Sequence, residues 1–393
     1  MVFNNQMKGH IMEKQRNIQL FKAKYDIEAC LKEIRECLEI GWTGIGFKTV
    51  EFENKWKEYT GYSNAFFTNS ATAGLYLSLD ILKEENGWDE HCEVITTPIT
   101  FVSTNHAILK AGLCPVFADV DDTLCLNPDE VVKKITPATK AVMYVGMGGN
   151  AGHIDKIINI CRDHNLKLIL DAAHMSGTRW NQKIVGREAD VIINSFQAVK
   201  NLPTGDSGML CFQNDEYDKI ARKKAWLGIN KDTYLRSSDG GNYKWKYDVE
   251  YVGDKYHGNS IMASLAIAQL KHLDDDNEYR RKLASWYEEQ LVRLVKEGGI
   301  RLIHIPNECI SSRHLFQIVV DKRDELVDEL NENGIYPGVH YVDNTEYKMY
   351  SYAKGTCPVA HYYSEHLVSL PMHLDLNRDD VEYICEIIRG AIV

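Results

Sequence analysis

The sequence predicts an α/β protein: a mostly parallel sheet covered by helices, with a smaller α+β domain at its C-terminal end. Three observations carry this expectation. Short apolar runs alternate with helix-spaced stretches between Val94 and Ile193, the pattern of strands joined by crossover helices. A length of 393 residues allows two to three domains at roughly 150 residues each. A content of 44% apolar, 10% aromatic and 26% charged residues can supply a sizeable core under an ordinary globular surface.

The charge balance narrows the function classes. With 45 Lys+Arg against 56 Asp+Glu the formal charge is −11, a poor match for a phosphate backbone, so no nucleic-acid partner is expected. No apolar run is long enough to span a bilayer. The opening Met1-Val2-Phe3-Asn4-Asn5-Gln6-Met7-Lys8 has no apolar h-region. A soluble, cytoplasmic chain with no membrane partner is expected. Ten cysteines lie between Cys30 and Cys385 without a C-x-x-C pair, so neither a metal site nor a disulfide framework is expected. Each reads as a small packing residue, as Cys211 does in Met209-Leu210-Cys211-Phe212.

Residues 1–15 read as a loose extension, with Met12 as an alternative start. Residues 16–275 read as a large domain and 276–393 as a small one. Ile27, Cys30, Leu31, Ile34, Cys37 and Leu38 recur at helical spacing, predicting a helix from Phe21 to Ile40 that ends at Gly41. A second helix is expected over Phe47–Tyr59, and an apolar helix opens after Ser70 at Ala71-Thr72-Ala73-Gly74. Strands are then predicted at Val94–Thr97, Cys114–Ala118, Ala141–Val145, Leu166–Leu170 and Val191–Ile193. Helices are predicted between them at Ser103–Ala111, Pro128–Ile135 and Ile154–His164. Arg236–Tyr243 reads as a polar loop before Trp245. A helix from Asn259 to Leu273 is expected to end in the solvated run Asp274-Asp275-Asp276, and another to run from Tyr279 to Glu297. The small domain should hold strands at Leu302–Ile305 and His314–Val320 and a helix from Arg323 to Asn331.

Parallel sheets bind ligands at the carboxyl ends of their strands. The candidate positions are therefore Thr97–Phe101, Gly146–Asn150, Asp171–His174 and Ser195–Lys200. The three glycines in Gly146–Asn150 are equally well explained as a tight strand-to-helix turn. Asp171 ends an apolar strand with His174 three residues on, and Ser195 ends another with Lys200 five residues on. A lysine held as the neutral amine can form a Schiff base, and a nearby aspartate suits a pyridinium nitrogen. A hydroxyl and free amides where a loop enters a helix suit a phosphate. Together these describe a site for pyridoxal 5'-phosphate (PLP).

The sequence resembles the DegT/StrS sugar aminotransferases, PLP enzymes of the aspartate aminotransferase fold (fold type I), over nearly its whole length. The resemblance rests on Gly41-Trp42-Thr43-Gly44-Ile45-Gly46, Asn69-Ser70-Ala71-Thr72-Ala73 and Thr97-Pro98-Ile99-Thr100-Phe101. It continues in Asp171-Ala172-Ala173-His174, Ser195-Phe196 with Lys200, and Ser369-Leu370-Pro371-Met372-His373. Two departures stand out: Ala71 where the family usually has Gly, and Gly258 where Met is common.

The resemblance implies a role for each residue. Lys200 would be the catalytic lysine that bonds the cofactor and carries the proton. Asp171 would pair with the ring nitrogen, His174 would sit beside the phenolic oxygen, and Phe101 would stack on the ring. Ala71, Thr72 and Ser195 would hold the phosphate. Lys255, in Gly253-Asp254-Lys255-Tyr256, would reach the neighbouring subunit's phosphate, so a homodimer with shared active sites is implied. Trp42, Thr43 and His340 would contact the sugar. The implied reaction moves an amino group from glutamate to a nucleotide-linked keto-sugar, for polysaccharide or glycan biosynthesis such as lipopolysaccharide. Two alternatives remain: a dehydratase of the same family, in which a histidine replaces the lysine, and a non-catalytic sugar-nucleotide-binding regulator.

Overall fold

The computed structural model describes residues 16–230 and 247–392. The expectations for residues 1–15, and for Arg236–Tyr243 and Trp245, lie outside the described residues.

The large sheet is built from β1 (Phe66–Thr68), β2 (Glu93–Thr96), β3 (Cys114–Phe117), β4 (Thr139–Val145) and β5 (Lys167–Asp171). After a short hairpin, β6 (Arg179–Trp180) and β7 (Lys183–Ile184), come β8 (Val191–Ser195) and β9 (Gly208–Phe212). The spatial order is β1-β9-β8-β5-β4-β2-β3. The pairs β2–β3, β2–β4, β4–β5 and β5–β8 are parallel, whereas β9 runs antiparallel to both of its neighbours. The sheet is therefore parallel except at one strand, and its central strands are buried on both faces, as Val191–Ser195 is throughout. Sequence reading passed over β1 and β9. A three-residue strand is too short to show a period, and β9 is a continuous apolar run that periodicity cannot assign.

Helix Ala71–Asn86 packs across this sheet. Ser70 caps it by accepting the Ala73 amide at 3.1 Å, and Gly87 ends it in the left-handed conformation. Gly208 lets that N-terminus come close, because a Cβ there would sit 2.6 Å from the Ala71 nitrogen. The first helix spans Ile27–Ile40, not Phe21–Ile40. Asp26 caps it by accepting the Ala29 amide, and the Asp26 amide itself donates to Gln269, so the chain before it is extended. Cys30 and Cys37 on this helix are buried, but Ile27 (65%), Leu31 (52%) and Leu38 (62%) are exposed.

The acidic run opens a helix instead of ending one. One helix stops at Leu270 and the next runs Leu273–Lys296 with Asp274, Asp275 and Asp276 in its first turn. Carboxylates there oppose the positive end of the helix dipole. That helix leads to a second, antiparallel sheet of β10 (Arg301–Leu302), β12 (Phe316–Val319) and β13 (Leu367–Leu370). β11 (Cys309–Ile310) joins β6 instead. The strand expected at Leu302–Ile305 ends at Leu302, because the His304 amide turns away to donate to Asp122. Helices Arg323–Glu332 and Arg378–Ile392 cover this sheet. Leu283, Tyr287, Ile318, Val368 and Ile384 form a core separate from that of the large sheet, and Ile18 packs into it. All ten cysteines are free and nine are buried; Cys114, at the start of β3, is exposed. Among the described residues no helix is long and apolar enough to cross a membrane.

Candidate active site

A cavity of about 460 Å³ opens where β4, β5 and β8 end. Its lining includes Ala71, Thr72, Phe101, Asp171, His174, Ser195, Lys200 and His340. Five segments distant in sequence therefore converge on one edge of the sheet. Trp42, Thr43 and Lys255 do not line it. Trp42 donates to the Ile45 carbonyl, and the Thr43 carbonyl accepts from the Ser260 amide. Lys255 is exposed, its ammonium 3.9 Å from the centre of the Trp226 ring.

The Lys200 side-chain amine makes no hydrogen bond or ion pair among the described residues. Burial lowers its pKa from 10.5 to about 8, and the charge of Asp171 opposes that shift. A substantial fraction of neutral amine is the result, as a nucleophile requires. Asp171 is buried and held from both sides: Thr104 donates its hydroxyl at 2.7 Å and the Ala173 amide donates at 3.1 Å. Burial pushes its carboxyl above the usual range, while those two bonds and Lys200 pull it back.

His174 accepts the Gly148 amide on Nδ1 at 3.2 Å, and its Nε2 lies 3.3 Å from the Tyr341 hydroxyl. Its pKa falls far below 6.5, first through burial and then through Lys200 and His340. His340 is lowered to about 4, first by burial and then by Lys200. Gly146–Asn150 is thus a turn and a contributor to the ligand edge at once: Gly148 and Gly149 have positive φ, and the Gly148 amide holds His174.

Phe101 is 58% exposed, unusual for so large an apolar side chain, and faces the cavity 6.0 Å from the Tyr341 ring. At the other end lies the N-terminus of helix Ala71–Asn86, beside the Ser195 hydroxyl. These residues fit PLP: an unpaired amine, a buried carboxylate for the ring nitrogen, an exposed aromatic face and a helix N-terminus for the phosphate. Among the described residues that line the cavity, Lys200 is the only lysine or arginine.

Several residues in or beside the cavity were not singled out in the sequence. Thr104, one turn beyond Phe101, holds Asp171; its place in the helix after β2 is the signal that could have found it. Tyr341 and Gln197 lie within segments already noted, and Asp206 follows Gly205 in the turn before β9. Asp343, Glu346 and His361 could between them hold a cation, but the Lys354 ammonium already pairs with Glu346 at 2.5 Å.

Residues 24–389 match the model of the DegT/DnrJ/EryC1/StrS aminotransferase family. The spore coat polysaccharide biosynthesis protein SpsC of Bacillus subtilis (strain 168) is 33% identical over 374 residues, covering 92% of this chain and 94% of that protein. The dTDP-4-dehydro-2,3,6-trideoxy-D-glucose 4-aminotransferase of Saccharopolyspora spinosa is 31% identical over 368 residues, with coverage of 92% and 94%. The crystal structure of the aminotransferase TlmJ from Streptoalloteichus hindustanus superposes with a TM-score of 0.87 at 31% identity, over 96% of this chain and 99% of that one.

Proposed function

The chain belongs to the DegT/DnrJ/EryC1/StrS aminotransferase family, whose members are PLP-dependent sugar aminotransferases, and from that premise we propose that it moves an amino group from glutamate to a nucleotide-linked keto-deoxysugar for polysaccharide or glycan biosynthesis. The observation that carries this is Lys200: a half-buried, unpaired amine with its pKa lowered to about 8, in the same cavity as a buried carboxylate. PLP, when bound, acts as an electron sink for the carbon that loses its proton.

The chain's own residues do the rest. Asp171, held by Thr104 and the Ala173 amide, keeps a proton on the ring nitrogen. Phe101 covers one ring face and excludes water there. The amides of Ala71 and Thr72 and the Ser195 hydroxyl anchor the phosphate, orienting the cofactor toward Lys200. The Lys200 amine takes the proton from the donor's α-carbon and returns it, as a general base whose pKa suits neutral pH. A histidine in its place, as in the dehydratase branch, could not bond the cofactor.

Among the described residues no cation besides Lys200 lines the cavity, and we assign the phosphate's counter-charge to Lys255 of a second copy. The exposed Ile27, Leu31 and Leu38 on one helix support such a homodimer. We place the domain boundary at 275/276 and the enzyme in the cytoplasm. Trp42 and Thr43 would then meet the sugar only from the subunit interface.

The test is a two-step assay. Glutamate alone should convert bound PLP to its amine form and release 2-oxoglutarate; a keto-sugar nucleotide should then be recovered as an amino sugar. A sugar that loses oxygen without gaining nitrogen would mean a dehydratase. Binding of sugar nucleotide with no spectral response to glutamate would mean a regulator. Mixing Lys200→Ala with Lys255→Ala chains should restore part of the activity if sites are shared.

A further inference from the structure

Behind His174 lies a buried polar network that the reaction scheme does not use. His314 packs against it with ring centroids 4.3 Å apart and planes tilted by 37°, and Phe21 stacks on His314 at 5.3 Å. His314 and Asn201 are each 3% exposed. His314 Nδ1 is 3.0 Å from Asn201 Oδ1, and Asn201 is the residue after Lys200. The Asn201 amide nitrogen donates to Asn277 Oδ1 at 2.7 Å and to the Ser312 carbonyl at 2.8 Å. The Asn277 nitrogen donates in turn to the Ser176 carbonyl at 2.8 Å. The Ser312 hydroxyl donates to the His174 carbonyl at 2.7 Å.

These bonds determine where the protons sit. A backbone amide can only donate, so Nδ1 of His174 is an acceptor and a neutral ring carries its proton on Nε2, toward Tyr341 and the cavity. The Asn277 donation to Ser176 leaves its oxygen to accept from Asn201. Both protons of the Asn201 nitrogen are then used, so its oxygen accepts and His314 carries its proton on Nδ1. The two packed imidazoles are thus held in opposite tautomers, His174 by the Gly148 amide and His314 by Asn201, while Ser312 links the Asn201 network to the His174 backbone.

We propose that His314 and Asn201 are positioning residues: His314, oriented by Asn201, packs behind the His174 ring and keeps it against the Gly148 amide that fixes its tautomer, and Asn201 ties the pair to the turn carrying Lys200. His174 then presents only an N–H donor to the cavity, which suits the phenolic oxygen of the cofactor that the proposed function places there. Lys200, His340 and Tyr341 face His174, Arg280 is added toward His314, and the Asp171 carboxylate lines the same cavity. Burial and the neighbouring cations together disfavour a proton on either ring.

The test uses the purified protein with ¹⁵N-labelled histidine, together with steady-state kinetics. In the wild type His174 should show a protonated Nε2, a bare Nδ1 and no titration between pH 8 and 5. His314→Leu removes both the stacked ring and the hydrogen bond; it should give mixed His174 tautomers that titrate in this window. Its kcat should fall roughly 10- to 100-fold, the scale of a small misplacement of a catalytic group, with little change in donor KM. His314→Phe keeps the ring cover, loses the bond, and should cost roughly tenfold in kcat. A cooperatively folded His314→Leu with a single His174 tautomer and wild-type kcat would overturn the proposal. If that variant does not fold, the same result in His314→Phe overturns it equally. The kinetic arm rests on the proposed transamination; the tautomer arm does not, so a failure of that function leaves the inference decidable.

Discussion

Two lysines in this chain, Lys48 and Lys200, have opposite surroundings. Lys48, 3% exposed, lies where helix Phe47–Thr60 packs beside helix Ile27–Ile40, and meets Glu33 at 2.6 Å, Glu36 at 2.8 Å and Glu51 at 3.1 Å. Its pKa is raised: burial opposes the charge, but the three carboxylates outweigh it. Lys200 has a single charged opponent of burial, Asp171, and its pKa falls to about 8. Burial lowers the pKa of any lysine; the counterions decide whether the outcome is a structural ion cluster or a reactive amine. The same contrast separates Glu53, which binds Arg222 at 2.9 Å, from Asp171, which has hydroxyl and amide donors but no arginine. The first is a tie between helices; the second keeps its charge for a ligand.

The largest effect should come from Lys200→Ala, which is expected to lose the visible absorption of the cofactor-loaded protein and transamination by a factor on the order of 10⁴. Ordinary turnover by that variant would falsify the assignment. Asp171→Asn should come next, retaining bound PLP but losing roughly 100-fold in kcat, as measured by single-turnover mixing with glutamate. A loss confined to KM would mean that Asp171 binds without activating.

Lys48→Met should leave the chemistry alone and weaken the fold. Removing one partner from a partly exposed ion cluster should cost about 1–3 kcal/mol, read from urea unfolding, with activity per folded molecule unchanged. An equal loss of activity would erase the distinction between the two lysines.

The smallest effect concerns pH and the cofactor-free protein. Because Lys200 has a folded pKa of about 8 against 10.5 in the unfolded chain, the unfolded state binds more protons between those values, and stability rises with pH across them. Lys200→Met should therefore raise the unfolding midpoint at pH 7, with the gain shrinking from pH 8 to 10.5. Lys48 runs the other way. Its folded pKa lies above its unfolded one, so its contribution is present below pH 10.5 and lost above it. A pH-independent gain in Lys200→Met would show that the amine is not strained by burial.

The alternating pattern from Val94 to Ile193 sufficed to place β2, β3, β4, β5 and β8 within one or two residues, because each is a buried apolar strand bounded by turn residues. The same pattern could not place β1 and β9, since three residues show no period and Gly208–Phe212 is apolar on both faces. It misread Asp274-Asp275-Asp276, which favours a helix start on dipole grounds but looks solvated in a linear reading.

What the sequence determined by itself was the chemistry held at single positions: the order of Asp171, His174, Ser195 and Lys200, each at or just after a strand end in a predictable parallel sheet. Residues so placed must share an edge, because parallel strands point the same way. What only the tertiary structure decided was the environment of those groups. Thr104 reaches Asp171, Gly148 and Tyr341 bracket His174, and His314, two residues before β12 of the second sheet, packs behind it. It also decided that Lys255 and Trp42 face away from their own chain's cavity. A pKa or a tautomer depends on burial and on partners tens to hundreds of residues away, and those distances are set only when the chain closes on itself.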